Sequence, residues 1–185
     1  MQVETTALPG VLIIKPKIFR DARGFFVETY HEERYRSHGM GAHFVQDNLS
    51  QSVEGALRGL HAQLKRPQAK LVRCAEGSVW DVAVDIRVGS PTFGRWAGAT
   101  LDAENGHQIF IPEGFAHGFV VLSKVVQIEY KCTDVYVPDD QLTLRWDDPQ
   151  LGIPWPLKGE PLLSDKDRNA PLLRDLMDVL PRFQG

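Results

Sequence analysis

Gly55-Ala56-Leu57-Arg58-Gly59-Leu60-His61-Ala62-Gln63 reads as half of a metal site from which the metal chemistry has been removed. A metal-binding β-barrel would carry Gly, five residues, then His-x-His, with a carboxylate several residues on. Here the spacing from Gly55 ends on His61, the second His is replaced by Gln63, and the later acidic position is nearest Lys70. A divalent ion needs several convergent imidazole or anionic ligands, and an ammonium beside it would repel it. No metal and no other cofactor is expected. What remains is one imidazole and one cation, a set suited to taking a proton beside a developing negative charge.

Working outward, the chain is short for more than one domain, so residues 1–185 read as a single unit. Hydrophobic content of 43% and charged content of 24% fit a globular protein with its own core. A net charge of −3 argues against a nucleic-acid partner, which needs a basic face. It leaves room for a small anionic ligand met by local cations. No apolar run approaches the ~18 residues of a membrane span, and Met1-Gln2-Val3-Glu4 lacks the basic and apolar regions of a secretory signal. Cys74 and Cys132 each sit in an alternating apolar run and read as buried free thiols, so a cytoplasmic location is expected.

Frequent Pro and Gly punctuate short apolar runs, the pattern of an all-β sandwich or barrel. Strands are expected at Val11–Ile14, Phe25–Tyr30, Phe44–Ser50 and Ala56–Gln63, with a short helix over His31–His38 ended by Gly39. Ser78–Arg87 alternates most clearly: Trp80, Val82, Val84 and Ile86 share one face and Asp81, Ala83, Asp85 and Arg87 the other. Val126, Ile128, Tyr130 and Cys132 form a second such face. Further strands fall at Trp96–Leu101, Gln108–Ile111 and Gly118–Leu122, and a terminal helix at Lys166–Leu176.

Gly106-x5-Pro112-Glu113-Gly114-Phe115-Ala116-His117 resembles the second motif of the cupins, with Val121 in place of its closing Asn. Two such half-motifs predict an all-β, cupin-like double-stranded β-helix (jelly roll) with a few short helices near the ends. More specific is the ordered set Arg23-Gly24-x-Phe26-x-Glu28, Gln46-Asp47-Asn48-x-Ser50, Leu57-Arg58-Gly59-Leu60-His61-x-Gln63, Lys70-Leu71-Val72-Arg73, Asp81 to Arg87, Ser90 to Gly94, Ile111 to Phe119, Tyr130-Lys131-x-Thr133 and Leu163-Ser164-x-Lys166-Asp167. Together these segments resemble the dTDP-4-dehydrorhamnose 3,5-epimerase family over about residues 8 to 172.

That resemblance implies a metal-free jelly roll, a homodimer sharing an N-terminal strand segment, and a dTDP-linked 4-keto-6-deoxyhexose substrate inverted at C3 and C5. It implies His61 as general base supported by Asp167, Tyr130 as proton donor on the opposite sugar face, and Lys70 near the C4 oxygen. Arg23, Glu28, Gln46, Asp47, Asn48, Arg58, His117, Tyr136, Gln141 and Lys166 fall at ligand-contacting positions. Thymine stacking would fall to Tyr136, with Phe19 or Phe26. Three departures stand out: Ala62 where an aromatic is usual, Val135 where the family often has a second aromatic, and Gln141 where Glu is common.

The residue types suit the chemistry. A proton next to a ketone is weakly acidic, and its removal leaves an enolate with charge on the ketone oxygen. Neutral imidazole is available near pH 7 to take it, a cation steadies the oxyanion, and tyrosine, with a pKa of ~10, still holds a proton to return. A carboxylate fixes the tautomer of the base; Asp81 is an alternative to Asp167, which could instead cap the terminal helix. The alternative functions are a mono-epimerase, an epimerase of another nucleotide-linked 4-keto sugar, or a non-catalytic sugar-nucleotide-binding cupin. No Gly-x-Gly-x-x-Gly or phosphate-binding Gly-Lys-Ser/Thr loop is present.

Overall fold

Ser78–Asp85 (β8) alternates as its sequence demands, yet both of its faces are covered. Val79 and Ala83 point into a core shared by two sheets, while Trp80, Val82, Val84 and Ile86 point into a second core on the outside. A strand apolar on one side and small or acidic on the other can do this only where something covers its outer face. The computed structural model describes residues 1–41 and 43–184.

One sheet has six strands: Gln2–Thr5 (β1), Leu12–Lys15 (β2), Gln108–Ile111 (β10), Lys70–Glu76 (β7), Val125–Cys132 (β12) and Gln46–Val53 (β5), in that spatial order. The other has five: Gln141–Thr143 (β13), Leu57–Gln63 (β6), Phe115–Val121 (β11), β8 and Trp96–Asp102 (β9). All their pairings are antiparallel. The sheets face each other as a cupin-like jelly roll, with Val72, Ile109, Phe119, Val126 and Ile128 among the side chains between them. Among the described residues, Ile18–Asp21 (β3) and Gly24–Val27 (β4) pair only with each other and form a separate hairpin.

Helix Glu32–Ser37 (α1) carries acids in its first turn and bases in its last, which favours the helix dipole. Its Tyr35 covers the outside of the six-stranded sheet together with Met40, Leu71 and Phe110. The C-terminal segment covers the outside of the five-stranded sheet. Leu144, Leu151, Leu173 and Leu180 are buried there, and Trp80 meets Trp96 and Trp155 edge-on at centroid distances of 5.7 and 5.4 Å.

The expected helix over Lys166–Leu176 is not formed. Asp165–Arg168 makes one short turn (α2), and a 3-10 turn follows at Leu173–Leu176. Pro171 lies between them; its ring removes a donor and drives Ala170 out of the helical region. The strand expected at Phe25–Tyr30 ends at Val27, and the one expected from Gly118 begins at Phe115. Among the described residues no helix is long and apolar enough to cross a membrane. Cys74 and Cys132 are free and buried.

Candidate active site

Two histidines lie side by side on neighbouring strands. His61 of β6 and His117 of β11 are direct cross-strand partners, and a register shift follows between His117 and Phe119. Glycine makes this approach feasible. A Cβ on Gly59 (φ +122°) would lie 2.6 Å from Gly118 Cα and 2.7 Å from His117 O, and one on Gly118 would lie 2.7 Å from Arg58 O. Leu60 and Ala62 point to the outer core, so His61 faces the interior by alternation.

Each histidine has its own carboxylate. His61 Nε2 is 2.6 Å from Asp167 Oδ1, and His117 Nε2 is 2.8 Å from Asp81 Oδ2. Asp167 arrives because the chain returns beside β6, where Leu57 N donates to Leu162 O at 3.0 Å and Leu162 N donates to Gly55 O at 2.9 Å. Ser164, not Asp167, caps α2: its hydroxyl accepts from Asp167 N and donates to Asp167 Oδ2 at 2.8 Å. Burial alone would raise the Asp167 carboxyl, but the hydrogen bond and charge of His61, with help from Ser164 and the Gly59 N–H, hold it below its ordinary value. An ionised carboxylate only accepts, so neutral His61 carries its proton on Nε2 and leaves the Nδ1 lone pair free. Asp81 is fully buried, and its Oδ1 has no hydrogen-bond partner among the described residues.

His61, His117, Ser164 and Asp167 line a cavity of about 710 Å³, within the range of small-ligand sites, while Asp81 lies behind His117 and outside the lining. The cavity is bounded by β6 and β11 on one side and by β5, β7 and β12 on the other, with α2 near the rim. His61, His117 and Arg58 come from the five-stranded sheet; Tyr130, Lys70, Gln46 and Asn48 from the six-stranded one; Tyr136, Gln141, Lys166 and Asp167 from later segments. Burial raises the Tyr130 phenol, reinforced by Cys132 and only partly offset by Arg58. Burial lowers the Lys70 ammonium, with Cys132 and Asp81 drawing it partly back. Arg58 is held by Ser52 Oγ, to which its Nε donates at 2.9 Å.

Three expected contact residues lie elsewhere in this chain. Asp47 sits between Gln46 and Asn48, so strand alternation turns it to the outer face, where Lys131 Nζ donates to it at 2.7 Å. Arg23 stands at the tip of the β3–β4 hairpin with its side chain 89% exposed, paired with Asp21 at 2.6 Å. Glu28 follows that hairpin and accepts from Arg34 at 2.8 Å. The cavity also holds residues that the sequence reading left out of the site: Cys132, Gln63, Gln68, Ser164 and Phe119. The alternation that put Tyr130 inside also put Cys132 there, a signal present in the sequence. Among the described residues, no group of three His, Cys, Asp or Glu side chains is arranged to hold a metal ion.

The sequence model of dTDP-4-dehydrorhamnose 3,5-epimerase matches residues 5–175. The chain belongs to that family. A dTDP-4-dehydrorhamnose 3,5-epimerase of Salmonella typhimurium is 53% identical over 175 residues, covering 94% of this chain and 96% of the relative. One of Neisseria gonorrhoeae is 54% identical over 167 residues and covers 90% of this chain, while the chain spans 51% of that relative's length. Among solved structures, a dTDP-6-deoxy-D-glucose-3,5-epimerase of Legionella pneumophila in complex with dTDP-4-keto-L-rhamnose superposes with a TM-score of 0.97 at 49% identity. It covers 100% of this chain and 99% of that chain.

Proposed function

We infer that this chain is a dTDP-4-dehydrorhamnose 3,5-epimerase, inverting C3 and C5 of dTDP-4-dehydro-6-deoxy-D-glucose to give dTDP-4-dehydro-L-rhamnose. The observation that carries the mechanism is the opposition of His61 and Tyr130, one on each sheet, across a single cavity. His61 Nδ1 takes the proton from a carbon beside the C4 ketone, and the imidazolium is steadied by Asp167. The electron pair of the broken C–H bond moves onto the C4 oxygen, where the Lys70 ammonium meets it; a donor in such a place is worth roughly 2.7–4 kcal/mol. Tyr130 then returns a proton to the carbon from the opposite face, which inverts it. Release of the His61 proton and reprotonation of Tyr130 by solvent reset the site, and the cycle at the second carbon is the same.

Gln46, Asn48, Arg58, His117, Tyr136, Gln141 and Lys166 hold the nucleotide and sugar, with Arg58 and Lys166 facing the diphosphate charge. Arg23 and Glu28 serve the site of a second copy in a homodimer. The lone β3–β4 hairpin supports this: Phe19, Phe25 and Phe26 are exposed on it, a costly arrangement unless a neighbour covers them. Its two free thiols suit a reducing cytoplasm.

Proton NMR of the reaction in D₂O tests the reading. Deuterium at both C3 and C5 with inversion is expected. Exchange at one carbon only would make the chain a mono-epimerase. His61→Ala should lose exchange at both carbons while still binding dTDP; exchange at the parental rate would remove His61 from the base role.

A further inference from the structure

Gln63 occupies the position at which a metal-binding barrel would carry its second histidine, and the function above gives it no task. It is 6% exposed, and both ends of its carboxamide are hydrogen-bonded. Its Oε1 accepts from Val137 N at 2.6 Å, and its Nε2 donates to Val135 O at 3.2 Å and to Arg66 O at 2.8 Å. The first two bonds flank Tyr136 on either side. Other carboxamides complete the hold: Gln46 Oε1 accepts from Tyr136 N at 2.8 Å, and Gln68 Nε2 donates to Asp134 O at 2.7 Å. The Tyr136 hydroxyl donates to Gln141 Oε1 at 2.7 Å. A loop residue with 49% of its surface exposed is thus fixed through its backbone on both sides and through its hydroxyl.

None of the four carboxamides titrates near neutrality, so the hold does not vary with the protonation of the base or the donor. A Glu in place of Gln63 would keep the shape and still accept from Val137 N. It would have no N–H for Val135 O and Arg66 O and would set a charge against them. Fixing the loop in advance matters for recognition, since the entropy of ordering an aromatic side chain is otherwise charged against binding.

We propose that Gln63 is a positioning residue for ligand recognition: its carboxamide, bonded on both sides of Tyr136, holds that ring at the cavity mouth as a preformed platform for the planar base of the nucleotide. The inference rests on the functional reading above, and it assigns Gln63 to recognition and not to proton transfer.

The test compares the parent with Gln63→Glu, Tyr136→Ala and the double variant. The readouts are calorimetric affinity for dTDP and for inorganic pyrophosphate, steady-state kinetics and melting temperature. Gln63→Glu is expected to weaken dTDP binding and raise KM about tenfold, the scale of a lost base stack, with kcat and pyrophosphate affinity little changed. The double variant should bind dTDP no worse than Tyr136→Ala alone, because the platform is already gone. Parental dTDP affinity in Gln63→Glu, equal losses for dTDP and pyrophosphate, additive losses in the double variant, or failure of Gln63→Glu to fold would make Gln63 a purely structural residue and overturn the proposal. A parent that does not bind dTDP at all would instead overturn the functional reading.

Discussion

Lys70 and Tyr130 share one cavity and are both partly buried, yet burial moves them in opposite directions along the pH axis. Each shift favours the neutral form: the ammonium gives up its proton more readily and the phenol keeps its own longer. As pH rises, the Lys70 charge is therefore lost below the ordinary lysine value, while Tyr130 remains a donor beyond its ordinary ~10. If Lys70 meets the enolate oxygen, the alkaline fall in kcat follows Lys70 and not Tyr130. Lys70→Arg, whose guanidinium keeps its charge, should move that fall to higher pH, even at a lower plateau. Tyr130→Phe should lower inversion without moving it. A pH profile of kcat for the three proteins decides the point, and an alkaline limb that stays fixed in Lys70→Arg would release Lys70 from the oxyanion role.

At the scale of elements, the meeting of β6 and β11 sets the site. The two strands approach so closely at Gly59 and Gly118 that a side chain on either would run into backbone. Gly59→Ala places a methyl group against Gly118 and His117 O and forces an L residue to φ +122°. The expected cost is roughly 2–4 kcal/mol of stability. His61 and His117 are paired at this spot, so activity should fall more than the folded fraction does. Chemical denaturation alongside kcat measures both; a Gly59→Ala protein of parental stability would mean the strands separate more easily than their packing indicates. The same junction marks what the sequence could and could not tell. Period-two alternation put Tyr130 on one face with Val126, Ile128 and Cys132, because a strand fixes its register relative to its buried side, whereas His61 and Lys70 were legible through their motif spacing and the family resemblance. Alternation could not choose between Asp81 and Asp167 as the partner of His61. That choice depends on the return of the chain beside β6 through Leu162, a contact between segments far apart in sequence. The same alternation, applied one residue further, would have turned Asp47 away from the cavity.

At the scale of the whole molecule, the hairpin finds no further strand partner among the described residues. β3 and β4 pair only with each other, Phe26 is 67% exposed there, and Arg23 extends from the tip toward solvent. A two-stranded ribbon is marginal by itself in water, and aromatic residues at its surface gain free energy only when something covers them. If a second copy supplies that cover, each cavity takes its Arg23 from the other chain, and the two functions can be separated genetically. Arg23→Ala damages the neighbour's site, and His61→Ala damages its own. A mixed dimer of the two variants then contains one site with both residues intact: the His61 of the Arg23→Ala chain with the Arg23 of the His61→Ala chain. Unfolding and refolding the two proteins together should yield more activity than the sum of the separate preparations, with sedimentation reporting a dimer throughout. Activity equal to the sum, in a sample shown to contain mixed dimers, would mean that Arg23 acts within its own chain or not at all, and the hairpin would then have to fold back onto its own barrel to reach the cavity.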